Sequence, residues 1–222
     1  MSMKRILFSV ALIFAALSVS AQNTDWAKFG TYAESNASVS VKPKAVLLGD
    51  SITEGWARQD PAFFSDNNLV GRGISGQTTS QILVRMRPDV VDLHPKYVVI
   101  FCGINDIALN DGHAVDVDAA VGSIKSMCDI ARANKIKPIL CSLLPSYRFY
   151  WRPSVTDCYD KVLQFNKLLK EYAKEQRLRY VDYFTFMSGE DGKIRPEYSK
   201  DTVHPTLEGF KVMEKCLLEF LK

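Results

Sequence analysis

The chain has 222 residues, of which 47% are hydrophobic and 24% charged, a composition that suits one globular domain with a core large enough to fold without disulfide or metal staples. Its 28 Lys and Arg stand against 25 Asp and Glu, and Lys4 and Arg5 fall in an amino-terminal leader, so the rest of the chain is close to neutral. Basic residues alternate with acidic ones, as in Lys170-Glu171 and Lys174-Glu175-Gln176-Arg177; this reads as a solvated helix face and excludes nucleic acid as an expected partner.

The leader comes first. Met1-Ser2-Met3-Lys4-Arg5 is followed by an apolar run from Ile6 to Leu17 and then by Ser18-Val19-Ser20-Ala21, the basic, apolar and small-residue regions of a secretory signal. The expected cut follows Ala21, leaving residues 22–222 as a single domain exported to the periplasm or medium. The apolar run is shorter than the roughly 20 residues that span a bilayer, no Cys follows it to carry a lipid, and no later segment suggests a transmembrane anchor.

Short apolar runs then alternate with helix-length stretches: Ala45–Leu48, Leu69-Val70, Tyr97–Cys102, Pro138–Leu143 and Leu178–Asp182. Near-continuous apolar strands separated by helices predict a five-stranded parallel sheet covered on both faces, an α/β/α three-layer sandwich. The clearest helices are Val115–Asn134 and Asp157–Gln176, the latter with Val162, Phe165, Leu168, Leu169 and Tyr172 on a core stripe. A final helix from Thr206 to Leu221, started by Pro205, carries Phe210, Met213, Leu217 and Phe220. Leu144–Thr156, rich in Pro and aromatics, reads as a long loop. The five Cys (Cys102, Cys128, Cys141, Cys158, Cys216) show no CxxC spacing and are expected to be free and mostly buried. No metal-ligand spacing occurs, so no metal is expected.

In open parallel sheets ligands bind beyond the carboxyl ends of the strands, which directs attention to the polar residues that follow each run. These are Gly49-Asp50-Ser51, then Gly71 to Thr78, then Gly103-Ile104-Asn105-Asp106, and, just before the last helix, Asp201-Thr202-Val203-His204-Pro205. A Ser hydroxyl becomes a nucleophile when a base takes its proton and a third group orients that base. His204 can be the base for Ser51, and Asp201, one turn earlier, can hold the other ring nitrogen. The backbone N–H groups of Ser51 and Gly76 and the amide of Asn105 can serve a developing oxyanion.

These four segments resemble the conserved blocks of the SGNH hydrolases, also called GDSL lipases or esterases, over most of the chain after the leader. The resemblance implies a flavodoxin-like sandwich and hydrolysis of esters or thioesters without metal or other cofactor. It also implies Ser51 as nucleophile, Asp201 and His204 as its partners, and Ser51, Gly76 and Asn105 as the oxyanion hole. Two positions depart from the family pattern: Gly71 stands where many relatives have Asn, and Gln77 where an acidic residue is common.

Thr53 occupies the second Gly position of the G-x-S-x-G elbow, and the stretch Gly71–Thr79 lacks the Gly-Lys-Ser/Thr ending of a P-loop, which disfavours an α/β-hydrolase and a nucleotide site. His94 precedes the third strand, at the wrong end of the sheet, and is assigned a surface or connecting role; His113 is expected in solvent. Asp50 and Asp106 are expected to bond local backbone N–H groups and support the site. Tyr147, Phe149, Tyr150, Trp151 and Arg152 crowd one loop on the site's edge and either form a substrate wall or pack the loop onto the domain; Tyr147 and Trp151 are the candidate substrate contacts, with Arg72 either meeting an anionic group or simply exposed. The expected function is an exported esterase for short, preferably acetyl, esters of small molecules or glycans. The alternatives are a lysophospholipase or thioesterase, or a catalytically silent protein that binds a sugar or acyl ligand.

Overall fold

Each apolar run forms a strand, because large apolar side chains fill both faces of a sheet that helices cover. The computed structural model describes residues 25–110, 112 and 116–222; the leader 1–21 and His113 lie outside them. The strands are β1 (Ala45–Gly49), β2 (Leu69–Gly73), β3 (Tyr97–Phe101), β4 (Lys137–Cys141) and β5 (Arg179–Val181). All neighbours pair in parallel in the order β2-β1-β3-β4-β5, which is the flavodoxin-like order. Every residue of β1 and β3 is buried, as central strands require.

The helices are α1 (Ala33–Ala37), α2 (Ser51–Gln59), α3 (Pro61–Asp66), α4 (Thr79–Val84), α5 (Met86–Asp89), α6 (Ile104–Ile107), α7 (Val117–Ala133), α8 (Cys158–Glu175), α9 (Tyr183–Met187) and α10 (Leu207–Leu218). Helix α7 packs against α4 and α8, while α2 packs against α10, giving the two outer layers. Trp56 of α2 ties its layer together: it stacks on Phe63 at 5.4 Å and on Phe210 of α10 at 5.5 Å, and its indole N–H donates to Glu214 at 3.2 Å. Val162, Phe165, Leu169 and Tyr172 of α8 are buried as the stripe predicts. So are Phe210, Met213 and Leu217 of α10.

Boundaries differ in instructive places. Strand β2 runs on through Gly71-Arg72-Gly73, which sequence reading assigns to a turn, because α2 and α3 lie close on it. A Cβ at Gly71 would stand 2.9 Å from Ala57 Cβ and 3.3 Å from a ring carbon of Phe64, so the family's Asn has no room here. Strand β4 ends at Cys141, and the amide of Leu143 turns away to donate to Asn166 Oδ1 at 2.7 Å. Pro205 does not start the last helix. Thr206 is its N-cap, with Oγ1 accepting from Gly209 N–H at 3.2 Å, as a hydroxyl before a helix does. All five Cys are free, four of them buried and Cys216 partly so.

Candidate active site

In the order β2-β1-β3 the chain leaves β1 for one edge of the sheet and returns past it to β3, so the loops after β1 and β3 diverge and open a crevice between them. Ser51 stands at that crevice as the first residue of α2. Asp50 caps the helix, its Oδ1 accepting from Ile52 N–H at 3.0 Å. The hydroxyl of Ser51 therefore sits among the free N–H groups of a helix start, where negative charge is favoured.

His204 reaches Ser51 from the far end of the chain: its Nε2 lies 2.9 Å from Ser51 Oγ. Its Nδ1 lies 2.6 Å from Asp201 Oδ2, so the carboxylate accepts the Nδ1 proton and leaves Nε2 as the acceptor for the serine. The other oxygen of Asp201 accepts from the backbone N–H groups of Val203 at 3.0 Å and His204 at 2.7 Å. This tight wrap needs Thr202 in a left-handed conformation, φ 70°, which is costly for a β-branched residue. Its hydroxyl pins the turn by donating to the Arg148 carbonyl at 2.6 Å.

The electrostatics follow from these contacts. Burial by itself would raise the Asp201 carboxyl, but the hydrogen bonds from His204 and Val203 outweigh it and hold the group far below the ordinary carboxylate range. The bond to Asp201 in turn raises His204 above its usual value, against the effect of burial, with Asp50 adding to the rise. Asp50 is buried, and desolvation pushes it up to about 7 despite its bond from Ile52 and the nearby ring of His204.

Two more segments reach this end of the sheet. Gly76 occupies the third position of the Ile74–Gln77 turn with φ +80°, a conformation that favours glycine. Asn105 is buried in α6, and its amide is fixed on both sides: Nδ2 donates to the Gln77 carbonyl at 3.0 Å and Oδ1 accepts from Asn110 Nδ2 at 2.5 Å. Asp106 joins the two segments by accepting from the N–H and hydroxyl of Thr79 at 2.9 and 2.7 Å.

The neutral Gln77 sits inside a buried network. Its Oε1 accepts from Arg85 Nε at 2.8 Å, its Nε2 donates to the Ala27 carbonyl at 2.7 Å, and Arg85, buried completely, forms an ion pair with Asp89. The charge that an acidic residue would bring at position 77 is supplied by Asp89 instead. Arg72 is neither exposed nor at hand for an anionic group: it is buried, donates to Asn36 Oδ1 at 2.7 Å and lies 4.7 Å from the Tyr32 ring centre. It fastens the segment before β1 to the sheet edge.

Of the loop aromatics, Trp151 stands beside the site, its ring centre 6.0 Å from that of His204 and its surface 43% exposed. Its indole N–H donates to Asn110 Oδ1 at 3.4 Å. Tyr147 turns elsewhere, facing Arg148 and Lys193. His94 is exposed at the opposite end of the sheet, just before β3. Asn110 and Thr202 support the site without a signal of their own in the sequence: Asn110 lies outside the four segments, and Thr202 is an unspecified position between Asp201 and His204. Among the described residues no group of three or more His, Cys, Asp or Glu is arranged to hold a metal, and no helix is long and apolar enough to cross a membrane.

Residues 47–212 match the GDSL-like Lipase/Acylhydrolase family. A solved GDSL-like lipase of Bacteroides thetaiotaomicron is 43% identical, with a TM-score of 0.84 over 88% of this chain and 97% of that one. An acetylxylan esterase of Geobacillus stearothermophilus is 24% identical over 68% of this chain and 70% of its own length. An uncharacterized lipoprotein of Bacillus subtilis (strain 168) is 35% identical over 45% of this chain and 48% of its own.

Proposed function

The chain belongs to the GDSL-like Lipase/Acylhydrolase family, whose members hydrolyse esters, and from that premise we propose that it is an exported serine esterase removing short acyl groups, acetyl above all, from carbohydrates. The observation that carries the reading is the continuous line of hydrogen bonds from Ser51 Oγ through the His204 ring to Asp201. Ser51 Oγ attacks the acyl carbon as its proton passes to His204 Nε2, and Asp201 stabilises the imidazolium. The N–H groups of Ser51 and Gly76 and the Asn105 amide receive the oxyanion. Collapse expels the sugar alkoxide, which takes the proton back from His204, and water repeats the sequence on the acyl-enzyme.

A sugar is favoured as the alcohol because Trp151 presents an exposed ring face next to the base, and aromatic faces suit the apolar face of a pyranose. The acetylxylan esterase among the relatives agrees with an acetyl group, and the lipoprotein agrees with export. The test of the chemistry is a fluorophosphonate probe: it should label the wild type covalently and fail to label Ser51→Ala, whose kcat should fall by roughly 10⁴-fold or more. A correctly folded wild type that resists labelling would refute the mechanism. For the substrate, rates on p-nitrophenyl esters should peak at acetyl and fall with chain length; a maximum at long acyl chains would point to a lysophospholipase instead. Trp151→Ala should raise KM for acetylated xylo-oligosaccharides at least tenfold more than for p-nitrophenyl acetate.

A further inference from the structure

At the end of the sheet opposite Ser51, helices α7 and α8 terminate side by side in the same way. The N–H of Ile136 donates to Ala131 O at 2.9 Å and that of Lys135 to Arg132 O at 3.0 Å; the N–H of Leu178 donates to Ala173 O at 2.8 Å and that of Arg177 to Lys174 O at 3.2 Å. Both are Schellman stops, in which the residue after the cap is left-handed and is usually glycine. Here those residues are Lys135 and Arg177, at φ 61° and 54°. Each is followed by a buried or half-buried apolar residue and a second cation that opens a strand: Lys135-Ile136-Lys137 leads into β4 and Arg177-Leu178-Arg179 into β5. Because β4 and β5 are paired neighbours, the two triplets lie next to each other.

Between them is a cleft of about 440 Å³ lined by the four cations of the triplets and by Arg132, with no carboxylate among its lining residues. Arg132 bridges the two turns by donating to Gln176 Oε1 at 2.9 Å and to the Gln176 carbonyl at 3.2 Å. Arg179 is braced over the Tyr97 ring at 5.1 Å and donates to the Phe220 carbonyl. Glu175, two residues before Arg177, is not among the residues that line the cleft, so the five cations there face one another without a carboxylate between them. A single cation in the last turn would answer each helix dipole, and that benefit fades within a turn. It accounts for neither the strand-borne Lys137 and Arg179 nor the choice of cations at two positions where glycine costs less.

We propose that the cleft between the Lys135–Lys137 and Arg177–Arg179 turns binds a carboxylated glycan, with the paired cations of the two turns holding carboxylates on successive sugars. Arg177 can pair with a carboxylate through two parallel hydrogen bonds while Lys135, Lys137 and Arg179 add positive charge around it, and a cleft of this volume admits a small sugar unit rather than a flat surface. Its lining includes no aromatic ring on which a nucleobase would stack and no exposed large apolar side chain that would enter a membrane. The choice of a glycan rests on the carbohydrate-esterase reading; the site itself is at the opposite end of the sheet from Ser51 and would hold the enzyme on an acidic polymer while Ser51 works on acetyl groups elsewhere in the same matrix.

The experiment is titration of the full chain with oligogalacturonate at low ionic strength, followed by calorimetry, beside neutral xylo-oligosaccharide, single-stranded DNA and phosphatidylglycerol vesicles. Oligogalacturonate should bind, salt should weaken it, and the double variant Lys135→Gly, Arg177→Gly should bind at least tenfold more weakly. Glycine suits both left-handed positions, so thermal unfolding of the variant should match or exceed that of the wild type. No binding of oligogalacturonate, equal binding by the variant, or binding of DNA or vesicles in its place would overturn the proposal. Fluorophosphonate labelling of Ser51, read on the same sample, reports the esterase reading independently, so the failure of one is distinguishable from the failure of the other.

Discussion

Asp201 does two jobs with two oxygens: one holds the His204 ring and the other holds the backbone on which that ring is mounted. A substitution there consequently moves both the chemistry and its pH dependence. Under the proposed mechanism His204 must be neutral to accept the serine proton, and Asp201 raises its affinity for a proton. The rate should therefore rise with pH and level off only above the ordinary imidazole range near about 6.5. In Asp201→Asn the carboxylate that favours the imidazolium is gone, so the midpoint of kcat/KM should move to lower pH while kcat drops by roughly 10⁴-fold from loss of tautomer control and charge. A wild-type profile that is flat from about pH 5 to 8, or an unmoved midpoint in the variant, would remove His204 from the role of base.

At the scale of elements, the oxyanion side proposed for the site depends on how closely α6 approaches α8. Gly103 precedes Asn105 at φ +127°, and a Cβ there would stand 2.3 Å from Phe165 Cζ in the core of α8. Gly103→Ala should thus displace α6 and with it Asn105, costing about 2–4 kcal/mol of stability and reducing kcat more than KM; urea unfolding and steady-state kinetics on p-nitrophenyl acetate measure both. Full activity in this variant would mean that Asn105 does not need its observed place. The strands, the long helices and the four polar segments were legible because each rests on a local pattern: an apolar run, a helical stripe, a turn after a strand. What was hidden is what needs the tertiary fold. Arg72 reads as a surface residue in sequence, yet it is buried because Asn36 arrives from 36 positions away to satisfy it, while Arg85, also buried, is met locally by Gln77 and by Asp89 one helical turn on. Gly71 reads as a turn and is a strand residue, since only the approach of α2 and α3 explains it. Tyr147 and Trp151 share a loop and a composition, and nothing short of the loop's path distinguishes the ring beside His204 from the one facing Lys193.

For the molecule as a whole, a core that needs no staples leaves all five thiols unpaired. Burial pushes the Cys128 and Cys158 thiols up to about 12 and raises Cys102 and Cys141 as well, so they should be inert to a thiol reagent in the folded state. With Ellman's reagent the native protein should show at most one reactive thiol, the partly exposed Cys216, and all five after guanidinium unfolding. Fewer than five in the unfolded protein would reveal a disulfide. The hydrogen bond between Ser51 and His204 joins residues 153 positions apart, and the segment bearing the base is followed directly by α10. If Ser51 is the nucleophile proposed, a nascent chain halted anywhere before residue 204 would display its serine with no base beside it, close to inert toward the esters it met. Hydrolysis would thus switch on only as the final helix docks, which makes the first turnover a timestamp for the completion of folding.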